Sequence, residues 1–151
     1  MFKWLLRDIR EEITNIAPVQ NKSVLEIACG TGEQTKLFTE KGALVTAIDL
    51  SEEMLEIAKK KNNNSVNFLY CDATNLPFPD NHFDISTTTL CLHTVDSSTR
   101  TKIIVEMQRV TKDKGYLIFA DYTLPKQHSY KASFWNLTSK IIEIFAGKEH
   151  Y

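Results

Sequence analysis

No run of about 18 apolar residues occurs in the 151-residue chain, so no transmembrane helix is expected. There is no excess of positive charge either. Eighteen Lys and Arg stand against nineteen Asp and Glu, and no basic stripe is laid out to follow a phosphate backbone, so nucleic acid is not expected as a partner. Cysteine is scarce. Cys29, Cys71 and Cys91 form no CxxC pair, HExxH is absent, and no metal site is expected. An odd cysteine count without an export signal points to reduced thiols and a cytoplasmic protein. The absence of GxxxxGK[ST] disfavours a phosphate-binding P-loop. There is no internal repeat and no low-complexity tract.

What is present is an alternation of short apolar runs with amphipathic segments, the pattern of a doubly wound α/β domain with a mostly parallel sheet. Phe2, Leu5, Leu6, Ile9, Ile13 and Ile16 recur at helical spacing over residues 1–20, which predicts a helix packed on the sheet rather than a signal peptide. Strands are expected at Ser23–Ala28, Ala43–Ile48, Val66–Tyr70, Phe83 to about Leu90, and Tyr116–Tyr122. Helices are expected between them. Gly42 suits a left-handed C-terminal cap. Ser51 reads as an N-cap, with Glu52 and Glu53 in the first turn and Lys59, Lys60 and Lys61 in the last, matching the helix dipole at both ends. Residues 21–123 make the core of a single domain with five strands. Residues 124–151, with Phe134, Trp135, Ile141, Ile142 and Phe145, read as a final helical segment.

Ligands of such sheets bind beyond the carboxyl ends of the strands. That rule gathers Gly30, Asp49, Asp72 and Leu90 to His93. The run Glu26-Ile27-Ala28-Cys29-Gly30-Thr31-Gly32 places glycines directly after a buried strand, where the backbone turns sharply and can approach a ligand. Asp49 ends the second strand about 20 residues on, where a carboxylate grips a ribose diol. Each charge-assisted hydrogen bond of that kind contributes about 1.5–3 kcal/mol. These two features indicate a nucleoside cofactor without choosing between a nicotinamide dinucleotide and S-adenosylmethionine (SAM). Thr35 stands where a GxGxxG fingerprint needs its third glycine, which weakens the dinucleotide reading.

The four segments VLEIACGTG, AIDLSEEMLEIAKK, CDATNLPFPDNHFD and EMQRVTKDKGYLIFADY, in this order, resemble the class I SAM-dependent methyltransferases. The similarity runs from Val24 to Tyr122. It is strongest to the group that includes ubiquinone/menaquinone-type C-methyltransferases. The resemblance implies SAM as cofactor, S-adenosylhomocysteine as product, and an unidentified small-molecule or lipid-like acceptor. It implies that Glu26, Ala28, Cys29, Gly30, Thr31 and Gly32 surround the methionine part. Asp49 is then the ribose ligand, Leu50 and Met54 flank the adenine, Asp72 with Ala73 beside it receives the adenine amino group, and Thr89 and Leu90 lie near the sulfonium. Ala28 departs from the glycine usual at its position.

His93, at the mouth of the fourth strand, is the candidate general base, in case the acceptor must lose a proton. Tyr122, Tyr130, Phe134 and Trp135 follow the fifth strand, where acceptors of this family dock. The family fold ordinarily ends with two further strands, which the pattern does not supply. The apolar fifth strand would then be a sheet edge, to be covered by a homodimer or another partner. A non-catalytic SAM-binding module or regulatory partner subunit is the alternative to an active enzyme.

Overall fold

The computed structural model describes residues 2–62, 64–122 and 140–146. The elements run α1 (Phe2–Ile16), β1 (Ser23–Ile27), α2 (Glu33–Glu40), β2 (Leu44–Asp49), α3 (Glu52–Lys61), β3 (Asn67–Tyr70), β4 (Phe83–Thr89), a short 3-10 helix (Leu92–Thr94), α4 (Ser97–Val110), β5 (Thr111–Tyr122) and β6 (Lys140–Ala146). The strands form one sheet in the order β3-β2-β1-β4-β5-β6. Strands β1 to β5 are parallel, and β6 pairs antiparallel to β5. The doubly wound fold is as expected.

Alternation along the strands makes two cores. Val24, Val45, Ala47, Ile85, Ile118 and Ala120 point to one face, where Ile9 and Ile13 of α1, Phe38 of α2 and Leu55 of α3 cover them. Leu25, Ile27, Ile48, Leu117 and Phe119 point to the other, against Ile103, Met107 and Val110 of α4. Val24 and Leu25, neighbours in sequence, are both fully buried on opposite faces, as the two-residue period of a strand requires. Each such side chain contributes about 1.5–3 kcal/mol.

The helix ends follow the sequence. The Ser51 hydroxyl accepts from the Met54 N–H, and Gly42 is left-handed at φ 79° behind α2. Asp96 caps α4 by accepting from Ser98 and Thr99. Asp84 ties the amino ends of the central strands together. One of its oxygens accepts from the Ser23 N–H and hydroxyl, and the other accepts from Lys112. Burial raises the Asp84 carboxyl, but Lys112 and Ser23 prevail and hold it at about 2.

Two expectations are corrected. Residues 140–146 form a strand, not a helix. Apolar Ile141, Ile142 and Phe145 suit either period, and the unpaired edge of β5 decides the outcome. The sheet accordingly has six strands, and β6 occupies the edge that a partner was invoked to cover. Phe134 and Trp135 lie outside the described residues. β5 also begins earlier than Tyr116. Its register with β4 jumps from Phe83↔Thr111 to Ile85↔Tyr116, so residues 112–115 bulge beside Asp84. Gly115 is needed there, because a Cβ would lie 2.6 Å from the Asp84 carbonyl oxygen.

Candidate functional site

The strand order places the topological switch point between β1 and β4. After β1 the chain winds outward to β2 and β3, and then returns to the other side of β1. A crevice is expected where the two carboxyl ends diverge. The backbone marks this place. Ala28, after β1, and Leu90, after β4, are non-glycine residues held left-handed, at φ 57° and 56°. Such conformations cost about 1–2 kcal/mol each and persist where surrounding bonds fix them. The Cys29 N–H donates to the Ile48 carbonyl, and the Leu90 N–H to that of Ala120.

Gly30 and Gly32 serve different ends. Both are left-handed. A Cβ on Gly32 would meet Asn62 Nδ2 at 2.6 Å and Ala58 Cβ at 3.0 Å, so this glycine lets α2 pack on α3. A Cβ on Gly30 would meet nothing within 4 Å, so Gly30 borders open space. Its N–H donates to Asp49 Oδ2 at 2.7 Å, and Asp49 Oδ1 accepts from the Ser51 N–H at 2.9 Å. The carboxylate is oriented by two backbone donors and retains lone pairs for others. Thr31 is half-buried in the same turn. Leu50 is 59% exposed, an unusual state for a leucine, and Met54 is half-buried one helical turn on.

Glu26 lies beneath this loop, 3% exposed, and accepts a 2.5 Å hydrogen bond from the Thr35 hydroxyl. Burial raises its carboxyl to about 8, with Thr35 and Arg10 of α1 pulling the other way. Thr35 thus joins α2 to β1 through a hydrogen bond, where a dinucleotide fingerprint would rely on glycine contact. Beside Glu26 in register stands Thr87. The buried hydroxyls of Thr87 and Thr89 have no hydrogen-bond partner among the described residues.

Asp72, exposed after β3, accepts from the Thr74 N–H and hydroxyl, both at 2.8 Å and both on Oδ1. These bonds hold its carboxyl below the usual range. Ala73 packs inward beside it. The loop that follows is braced by α4. Arg109 donates to the Leu76 and Phe78 carbonyls and to Asp80, while Glu106 accepts from the Leu76 N–H.

The expected base, His93, lies in the 3-10 helix after β4. Its partner is a residue the sequence reading did not single out. Asp121, near the carboxyl end of β5, accepts from the His93 backbone N–H through Oδ2 at 2.9 Å and meets Nδ1 through Oδ1 at 2.5 Å. The signal was available in position alone, because Asp121 is an acid at a strand's carboxyl end. Cys91, between the two halves of the crevice, is pushed up by burial, with Asp121 and Asp49 both adding to the rise. The same thiol therefore senses both carboxylates. Burial also raises the Cys29 and Cys71 thiols. Tyr130, like Phe134 and Trp135, lies outside the described residues.

The residues present therefore fit an adenosyl amino-acid cofactor. There is open space over Gly30, an oriented carboxylate at Asp49, an exposed leucine beside it, and unpartnered hydroxyls at Thr87 and Thr89.

Comparison with known proteins agrees. A family model described as a methyltransferase domain matches residues 25–119. A demethylmenaquinone methyltransferase of Paenarthrobacter aurescens is 39% identical over 104 residues, which are 69% of this chain and 40% of that protein. A malonyl-[acyl-carrier protein] O-methyltransferase of Buchnera aphidicola is 33% identical over 132 residues, which are 87% of this chain and 52% of that protein. Among solved structures, an SAM-dependent methyltransferase from Methanosarcina mazei superposes with a TM-score of 0.66 at 28% identity, covering 74% of this chain and 57% of that one. The chain spans about half the length of the relatives it matches. On sequence, on topology and on the arrangement of the switch-point crevice, the chain belongs to the class I SAM-dependent methyltransferase family.

Proposed function

We propose that this chain binds SAM in the switch-point crevice and transfers its methyl group to a small-molecule or lipid-like acceptor. The observation that carries the reading is the Gly30–Asp49 bond beside open space, which presents a carboxylate and a side-chain-free backbone to one ligand. Asp49 accepts from the ribose hydroxyls. Leu50 and Met54 flank the adenine, and Asp72, with Ala73 beside it, accepts from its amino group. Glu26, Ala28, Cys29, Gly30, Thr31 and Gly32 surround the amino-acid end, and Thr89 and Leu90 border the reacting centre. When bound, the cofactor supplies an electrophilic methyl group carried on sulfur. The chain's own part is to position the acceptor, exclude water, and hold His93 where a departing proton can be taken.

One of the named relatives is a demethylmenaquinone methyltransferase and the other a malonyl-[acyl-carrier protein] O-methyltransferase, so the family's cofactor site serves more than one acceptor. Among the described residues no helix is long and apolar enough to cross a membrane. A reducing cytoplasmic setting suits three free thiols. The second reading is a non-catalytic SAM-binding module or regulatory partner subunit, which the same cofactor crevice would serve.

The test is thermal unfolding with S-adenosylhomocysteine beside NAD. At 100-fold above its dissociation constant, a native-state ligand adds about 2.7 kcal/mol, which for this size raises Tm by roughly 5–11 °C. The shift is expected with S-adenosylhomocysteine alone and absent in Asp49→Ala. A shift with NAD alone would sink the reading. Turnover with an added acceptor separates the enzyme from the module.

A further inference from the structure

Asp121 grips His93 twice. One carboxylate oxygen takes the backbone N–H of His93, and the other faces ring nitrogen Nδ1. Asp121 stands on β5 and His93 in the 3-10 helix that follows the neighbouring β4, and the two are held together further where the Leu90 N–H donates to Ala120 next to Asp121. A carboxylate has no proton to give, so the nitrogen that meets it must carry one. Neutral His93 therefore has its proton on Nδ1, and Nε2 is the nitrogen with a lone pair.

We propose that Asp121 is a positioning residue that fixes His93 in the Nδ1–H tautomer, making Nε2 the atom that receives a proton from the methyl acceptor. The proposal rests on the reading of this rim as a methyl-transfer site. It assigns the acceptor to the class that surrenders a proton, such as a hydroxyl or an electron-rich ring carbon. The acceptor's proton passes to Nε2, and the pair it leaves on the acceptor ends in the new bond to the methyl carbon. The carbon–sulfur bond breaks with its electrons on sulfur, which becomes a neutral thioether. With the proton on Nε2 instead, the imidazole has nothing to offer the acceptor.

The geometry makes Asp121→Asn a sharper variant than a deletion. An asparagine has one oxygen, and the His93 backbone N–H requires it. The amide NH2 is then turned toward Nδ1, which can accept only by giving up its proton. The variant should keep the loop in place and reverse the tautomer.

The experiment is long-range 1H–15N correlation of the imidazole rings in the uniformly labelled full chain, at about pH 8.5, where an ordinary imidazole is neutral. The His93 signals are assigned by their loss in His93→Gln. Expected in the native protein are a protonated-type Nδ1 and an unprotonated-type Nε2, exchanged in Asp121→Asn. A native His93 with its proton on Nε2 overturns the proposal without recourse to any variant. So does an Asp121→Asn protein, still folded by circular dichroism, whose ring remains Nδ1–H. Because the readout needs neither cofactor nor acceptor, its failure is distinct from failure of S-adenosylhomocysteine to bind. Retained binding of S-adenosylhomocysteine by Asp121→Asn is expected alongside, since Asp121 holds His93 and not the loop at Gly30.

Discussion

At the residue scale, the site was legible wherever residue type and strand position alone carry the chemistry. The spacing of Gly30 and Asp49 places both at carboxyl ends of strands, and the fold brings them within one hydrogen bond. Thr35–Glu26 and Asp121–His93 were not legible as pairs. Their partners are nine and 28 positions apart, and only the packed fold sets them together. Ala28 stands where the family usually has glycine, and its left-handed backbone shows that the departure carries strain. Ala28→Gly should relieve it, less the entropy glycine loses on folding, for a net stabilisation of about 0.5–1 kcal/mol in urea unfolding. Glu26 gives a pH signature. Burial holds its carboxyl at about 8 in the fold against an ordinary value of 4.5, so the folded state holds a proton that the unfolded chain releases. Its contribution is complete below the unfolded value and is lost as pH rises through the folded one. Glu26→Gln, neutral and of the same shape, should flatten the fall in Tm between about pH 5 and 8 in the ligand-free protein.

At the element scale, β1 to β4 and the helices between them were readable to within a residue or two, because each apolar period is bounded by a turn, a glycine or a capping residue. Asp96 before α4 and Ser51 before α3 are such caps. The last segment was misread for want of any such marker. Ile141, Ile142 and Phe145 fit a helical stripe as well as a strand, and the choice belongs to the neighbour that needs hydrogen bonds. The stretch between β3 and β4 has no regular structure, yet it is not loose. Arg109 holds two of its carbonyls and one carboxylate, with Glu106 completing the set. Arg109→Met keeps the apolar stem and removes the guanidinium. It should cost about 2–3 kcal/mol in chemical denaturation, more than the exposed pair with Asp80 would by itself, because backbone carbonyls lose their donors.

At the scale of the whole molecule, β6 replaces the partner that the sequence seemed to call for. It pairs with β5 along seven positions, from Tyr116↔Ala146 to Tyr122↔Lys140. A chain ending at residue 139 should therefore expose the edge of an apolar strand and self-associate, visible as a mass above the monomer by light scattering at concentrations where the full chain gives less. The Arg109 brace has a consequence of another kind. Asp72, offered to the adenine, stands four positions before Leu76, whose amide and carbonyl are both held by α4. The carboxylate offered to the nucleoside is therefore only as well placed as the mooring of its loop, and a change that loosens Arg109 should be felt at Asp72 as well as in overall stability.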